Sequence, residues 1–381
     1  MTTMSGAALA VEESGWGHEF RFVQPRNLSF WVFVWGVTAG TLNLLRMFGP
    51  STSSYMEGAT SAVTVFVLYT VPWLLIIRWF NRYTRLPAGV LAAAGVWGGL
   101  AATGWLAINV NGALLSFWPK VLGVEDSQRW HAGFTAPYTE EISKALAVVL
   151  LIGIAGRLVR SAYDGLLIGA MSGLGFQIVE DVIYSLNGAS SGLGMGQVDR
   201  AIDLAVVRIG VGLTSHVVYS AIFCAGLMWL LGRDGNRRVL LGAFLVLYAM
   251  FAHFVWDAPA GLAGDDAQLQ MLFMFGIVVL DLVVLFFAVR TAARPERAWI
   301  RRILAPEVEG GAITAAELAA VSGTRHDRRR FLHRADGGRR VARHVLAAAD
   351  DLAHSIAKDR AQGTNEAAFA RSELARVRAA S

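Results

Sequence analysis

The stretch MLFMFGIVVLDLVVLFFAV, Met271 to Val289, decides the fold: nineteen residues, one of them charged, with Arg290 immediately after. A helix rises about 1.5 Å per residue, so a run of this length covers the roughly 30 Å hydrocarbon core of a bilayer. Working outward toward the N-terminus, similar runs lie at Val239 to Ala258, Val211 to Leu231, Asp164 to Leu186 and Pro137 to Ala155. Three more lie at Pro87 to Ile108, Ala59 to Ile77 and Leu28 to Phe48. The chain of 381 residues is 55% hydrophobic and 17% charged, too apolar for a soluble protein of its length. The pattern predicts an all-α, polytopic membrane helix bundle of about eight transmembrane helices over residues 28–289. A cytoplasmic N-terminal segment (1–27) and a cytoplasmic, basic, helical tail (290–381) flank it.

Orientation follows from the loops, because basic residues are retained on the inner side. Arg78, Arg82 and Arg85 follow the second run, Arg157 and Arg160 the fourth, Arg233, Arg237 and Arg238 the sixth, and Arg290, Arg294 and Arg297 the eighth. The alternate loops carry only Lys120, Arg129 and Arg200, and the loop after the seventh has Asp265 and Asp266 instead. Both termini are therefore expected in the cytoplasm. Arg46, near the outer end of the first run, is long enough to snorkel to the interface. The first residues, with Glu12, Glu13, Arg21 and Arg26, contain no apolar run and do not read as a cleavable signal.

Outside the runs, residues Asn109 to Ala136 are expected to form a long outer loop with an amphipathic piece at Leu114, Leu115, Phe117 and Trp118, and Asn187 to Gln197 a flexible one. In the tail, Thr314 and Glu317 form a capping box, and Val341, Val345, Leu352 and Ile356 share one helical face. The net charge of +5 is spread over loops and tail, which argues against a nucleic-acid partner. The single cysteine, Cys224, excludes an intrachain disulfide and a cysteine metal cluster. No solenoid or inverted repeat is visible.

Charged side chains in hydrocarbon cost about 2.5 to 3.5 kcal/mol each, so they need partners or a function. Glu140 and Glu141 share a helix face with Lys144, and Glu180 and Tyr184, His216 and Ser220, and His253 and Asp257 repeat a four-residue spacing. In the expected topology Glu140 and Glu141 lie in the outer turns of their run, and His216 lies about 7 Å below the outer start of its own. Glu180, His253 and Asp257 lie about 24, 21 and 27 Å from their inner ends. All six fall in the outer third of the bilayer, which predicts one shared site. Tyr184 and Ser220 are expected to be structural; the roles of Arg208 and Asp281 stay open, with pairing to a site carboxylate one reading of the first and packing one reading of the second.

These residues, in this order, resemble the PrsW family of intramembrane proteases, distant relatives of the CAAX protease and Abi superfamily. The likeness spans residues 137–258: EEISK at Glu140 to Lys144, DGLLIGAMSGLGF at Asp164 to Phe176, GFQIVEDVIY at Gly175 to Tyr184, then His216 and HFVWD at His253 to Asp257, where relatives often carry asparagine at the last position. The resemblance implies hydrolysis of a peptide bond in a membrane-anchored protein, such as an anti-sigma factor, near the outer leaflet of a bacterial cell membrane. Glu140 or Glu141 would deprotonate water, Lys144 would neutralise the other carboxylate, His216 and His253 would polarise the carbonyl, and Glu180 would orient water or a histidine. Glu180, His216 and His253, with water or Glu141 as fourth ligand, also fit a Zn2+ site, so metal-dependent and glutamate-only chemistry both stand. The alternative from another class is a proton- or ion-coupled transporter using the same Glu/His relay. Other protease types lack their signatures: His18 and Glu19 are not followed by a second histidine, Asp164 has no GxGD partner, and GASSG at Gly188 to Gly192 lies outside a strand-turn-helix context.

Overall fold

A computed structural model describes residues 6–212, 214–334 and 338–379 of the chain. The described residues are helical throughout, with no strand. After a short N-terminal helix α1 (Gly6–Ser14) come α2 (Leu28–Ser54), α3 (Met56–Phe80), α4 (Ala88–Val96) and, continuing α4 without a break, a π-helical stretch Trp97–Ala107 and α5 (Ile108–Leu122). Then follow α6 (Val124–Ala155), α7 (Ala162–Ser190), α8 (Gln197–Gly212), α9 (His216–Leu231), α10 (Val239–Asp257), the short α11 (Pro259–Ala263) and the long α12 (Ala267–Glu309). The tail adds α13 (Ala315–Val321), α14 (Arg325–Arg334), α15 (Gly338–Gln362) and α16 (Glu366–Ala379).

Six helices are long and apolar enough to cross a membrane: α2, α3, the continuous Ala88–Leu122, α7, α10 and α12. The protein is thus an integral membrane helical bundle. The other two expected runs fall on α6, whose apolar half carries Glu140, Glu141 and Lys144, and on α9, which is apolar but only sixteen residues long. The expected sixth run, Val211 to Leu231, includes residue 213, outside the described residues, and its helix begins at His216.

Two expectations are corrected. Asn109 to Ala136 is not a loop: α5 and α6 form a helical hairpin about a turn at Gly123, whose φ of 81° favours glycine. The polar residues that read as loop are satisfied inside the hairpin. Asn111 accepts from Thr139 Oγ1 at 2.5 Å, and Trp118 Nε1 donates to Thr135 Oγ1 at 2.9 Å. Likewise α7 runs on to Ser190, and the expected flexible loop shrinks to the turns before α8.

At the centre, α7 is approached very closely on two faces. Gly165, Gly169 and Gly173 follow one another at four-residue steps, the small-residue spacing that lets membrane helices touch. A Cβ at Gly169 would stand 2.2 Å from the Ser220 carbonyl oxygen of α9, and one at Gly173 would stand 2.3 Å from that of His216. On the other face the π-helical stretch comes equally near, with Gly98 against the Ser172 carbonyl. The short runs of the chain, not bulky knobs, set these distances.

The loops between α6 and α7 and between α9 and α10 meet: Arg233 donates to the Gly156 carbonyl at 2.7 Å and the Val159 carbonyl at 3.2 Å. Thr84, after α3, donates to Asp164 Oδ1 at 2.6 Å. The arginine-bearing loops therefore gather at one end of the bundle. The same end carries a second hydrophobic cluster, built from α1, the end of α12, α13, α15 and α16. Trp16 packs on Trp299 and His354 there, and Glu13 pairs with Arg302. The capping box of Thr314 and Glu317 is present, and Val345 and Leu352 of the expected tail face are buried in this cluster. Replacing Gly173 by valine is expected to cost about 3 kcal/mol in reversible unfolding in detergent. Gly276→Val, at a position with nothing within 4 Å, is expected to stay within about 0.5 kcal/mol.

Candidate active site

Four helices bring the expected residues to one level. Glu141 lies about 21 Å up α6 from Ala155, and Glu180 about 27 Å up α7 from Ala162. His216 lies about 22 Å up α9 from Leu231, and His253 about 21 Å up α10 from Val239. All these starting points belong to the arginine-rich end, so the common depth expected from the sequence is met by the helix ends themselves.

Lys144 sits at the hub, fully buried beneath the ring of Phe176, with Nζ 4.2 Å from the ring centre. Its ammonium is 2.7 Å from Glu141 Oε1, 2.9 Å from His216 Nδ1 and 3.6 Å from Glu140 Oε2. Glu141 is held on every side: Oε1 also meets His253 Nδ1 at 3.1 Å, and Oε2 accepts from Ser220 Oγ at 2.9 Å. Ser220 is therefore the screw that fixes this carboxylate. Glu140 is held at one oxygen only. Oε1 accepts from Asn111 Nδ2 at 3.0 Å, while the buried Oε2 has no hydrogen-bond partner among the described residues.

Both histidines turn a ring nitrogen toward this oxygen. Glu140 Oε2 lies 3.8 Å from His216 Nδ1 and 3.7 Å from His253 Nε2. Each ring has a carboxylate at its other nitrogen: Glu180 Oε2 lies 3.0 Å from His216 Nε2, and Glu141 Oε1 lies at His253 Nδ1. Asp257 Oδ2 is 3.2 Å from His253 Nε2. Tyr219 stacks on the His253 ring at 5.2 Å, which fixes the plane of that imidazole.

A cavity of about 150 Å³ opens on these groups, lined by Glu140, Glu180, His216, His253 and Asp257 together with Arg208 and Tyr184. All seven expected site residues thus belong to one connected network. Arg208, whose role the sequence left open, meets one site carboxylate and that residue's neighbour: its guanidinium is 2.7 Å from Glu180 Oε2 and 2.5 Å from Asp181 Oδ1, and it lies over the Tyr184 ring. Asp281 is apart from the site, accepting from Tyr248 at 2.8 Å. Asp181, Asn111 and Tyr219 were not singled out in the sequence. Asp181 was signalled by its place beside Glu180; Asn111, one of several polar residues of α5, had no comparable signal.

The residues fit a metal ion, with one change to the expected set. One nitrogen each from His216 and His253 and one oxygen from Glu140 lie within 4.8 Å of one another. Glu140 takes the place expected for Glu180, because the Glu180 carboxylate is committed to Arg208 and to the far nitrogen of His216. A carboxylate behind each histidine is the support that metal-ligating imidazoles ordinarily have. The cluster also carries five carboxylates against two permanent cations, Lys144 and Arg208, an excess of negative charge that suits a cation.

A sequence profile described as PrsW family intramembrane metalloprotease matches residues 86–289, more than half of the chain. The chain belongs to the PrsW family. It is accordingly an enzyme, an intramembrane protease, and PrsW membership gives the transporter alternative no support. No curated protein and no solved structure matches the chain. The match begins at Leu86 and ends at Val289, so it takes in the glycine-lined contacts of α7 as well as every residue of the network.

Removing the hub cation strands two buried carboxylates. Lys144→Met is expected to destabilise the protein by about 3 to 5 kcal/mol. Adding Glu141→Gln should return part of that loss, a coupling read from a double-mutant cycle of unfolding free energies.

Proposed function

We propose that the chain hydrolyses a peptide bond of a membrane-anchored protein by metal-assisted attack of water, with Glu140, His216 and His253 holding the ion. The observation that carries this reading is the buried Glu140 Oε2, without a hydrogen-bond partner and facing one nitrogen of each histidine. A divalent ion bound there supplies Lewis acidity to the scissile carbonyl and lowers the pKa of water. The protein's own groups do the rest. Glu141 and Glu180 accept from the outer nitrogens of His253 and His216, which directs the opposite lone pairs toward Glu140. Glu180 Oε1, the oxygen that meets neither Arg208 nor His216, takes the proton of the attacking water and returns it to the amine nitrogen as the C–N bond breaks. Arg208 keeps that carboxylate in place.

A second reading is favoured by one distance, the 2.9 Å between Lys144 Nζ and His216 Nδ1, which places a cation where the ligand set converges. In that metal-free route Glu140 is the base and Lys144 offsets the charge of the oxyanion.

The substrate proposed is a single-span protein cut near the leaflet opposite the tail, since the site lies about 21 to 27 Å from the tail-side helix ends. An anti-sigma factor is the candidate that the resemblance suggests. The proposed setting is a bacterial cell membrane with both termini cytoplasmic, supported by the gathering of arginines at the tail end.

Cleavage of single-span proteins by the reconstituted enzyme tests the whole scheme. Glu140→Gln, Glu141→Gln and His253→Ala are each expected to lower the rate by about 100-fold or more. Chelation should abolish cleavage, and added Zn2+ should restore it; cleavage unaffected by chelator selects the metal-free route. Equal cleavage by wild type and Glu141→Gln would remove the site from consideration.

A further inference from the structure

Far from the active site, at the tail-side rim, a cavity of about 640 Å³ lies between the end of α3, the lower part of α12 and the start of α14. Its mouth is strongly basic: Arg82 follows α3, Arg290 and Arg297 project from α12, and Arg325 and Arg329 come from α14. None of the five forms an ion pair with a carboxylate among the described residues. Arg82 and Arg325 lie over the Trp79 ring, 4.2 and 4.6 Å from its centre, and so are held at the rim with their charge unmatched. The acid near them, Asp327, is occupied in capping α14, where its Oδ2 accepts from Thr324 N at 2.8 Å and Thr324 Oγ1 at 2.7 Å.

The opposite wall is apolar and continues into the membrane. Leu282, Leu285, Phe286 and Val289 of α12 face Trp79 and Phe80 of α3, and Leu282 and Phe286 are 50% and 58% exposed on a helix that crosses the bilayer. The arginines begin where this wall ends. A soluble anion would use the guanidinium groups and leave the wall bare. A molecule with a phosphate at one end and an acyl chain at the other uses both. We infer that this cavity binds an anionic phospholipid of the tail-side leaflet, its phosphate among Arg82, Arg290, Arg297, Arg325 and Arg329 and its chain along Leu282, Phe286 and Trp79. Guanidinium pairs suit phosphate oxygens by their fixed fork of donors, and basic pockets beside membrane helices are where such headgroups settle. Two of the five arginines come from the tail, so a bound lipid ties α14 to the membrane part.

The test uses the full chain in phosphatidylcholine nanodiscs, titrated with phosphatidylglycerol brominated on its acyl chains. Quenching of Trp79 is read as the difference between wild type and Trp79→Phe. Saturable quenching is expected at a lipid fraction at least tenfold below that needed by brominated phosphatidylcholine. Arg325→Ala with Arg329→Ala should raise the midpoint tenfold or more, at about fivefold per arginine, and the corresponding lysine pair should raise it less. Millimolar inorganic phosphate should not displace the lipid. Equal quenching by the two wild-type lipid titrations, an unchanged midpoint in the alanine pair, or displacement by inorganic phosphate would each overturn the inference, the last by marking a soluble-anion site.

Discussion

One buried ammonium organises the membrane part. Lys144 is fully enclosed and touches Glu141 on its own helix and His216 on α9, while Glu141 reaches His253 on α10 and Ser220 on α9. A charge in such surroundings is tolerable only while its partners remain within reach. The three helices that supply them, α6, α9 and α10, are therefore held in one relative register, and a shift of a single turn, about 5.4 Å, would leave several ionisable groups without partners at once. The glycine row of α7 answers the same demand from the packing side. It brings the α9 backbone so near that His216, at the first turn of its helix, can meet both Lys144 and Glu180.

Much of this is written locally in the chain. The helix period places Glu140, Glu141 and Lys144 on one face, and 1.5 Å per residue gives the common depth, because antiparallel helices in a bilayer share their end planes. Those two regularities made the network readable before any coordinates. What escaped them depends on the reach of side chains. Spacing cannot say whether Glu140 or Glu180 points at the pair of histidines; the competition of Arg208 for Glu180 decides it. The hairpin of α5 and α6 escaped for a related reason. Asn111, Thr135 and Thr139 are polar, and polarity in a connecting segment reads as exposure, whereas here those groups bond to one another and to Glu140. α8 was hidden by its charges: Asp199, Arg200 and Asp203 are exposed while Ala201 and Ala205 are fully buried.

The packing of the tail was also only half legible. The capping box and the apolar face of α15 could be read from spacing, but not that α1, from the opposite end of the sequence, completes the same cluster with Val11 and Trp16. That contact sets α1 against the end of α12 and the tail helices, at the tail end of the bundle.

The size of the active-site cavity carries a consequence for whatever is cut. A volume of about 150 Å³ holds roughly five water molecules, while an α-helix with its side chains is about 10 to 12 Å across. The cavity is narrower than a membrane-spanning helix. On the proposed function, a helical substrate would have to present an opened turn, with backbone amides and carbonyls released from their own hydrogen bonds inside a membrane where no solvent replaces them. Selection would then depend on how readily a segment uncoils as well as on the side chains flanking the broken bond.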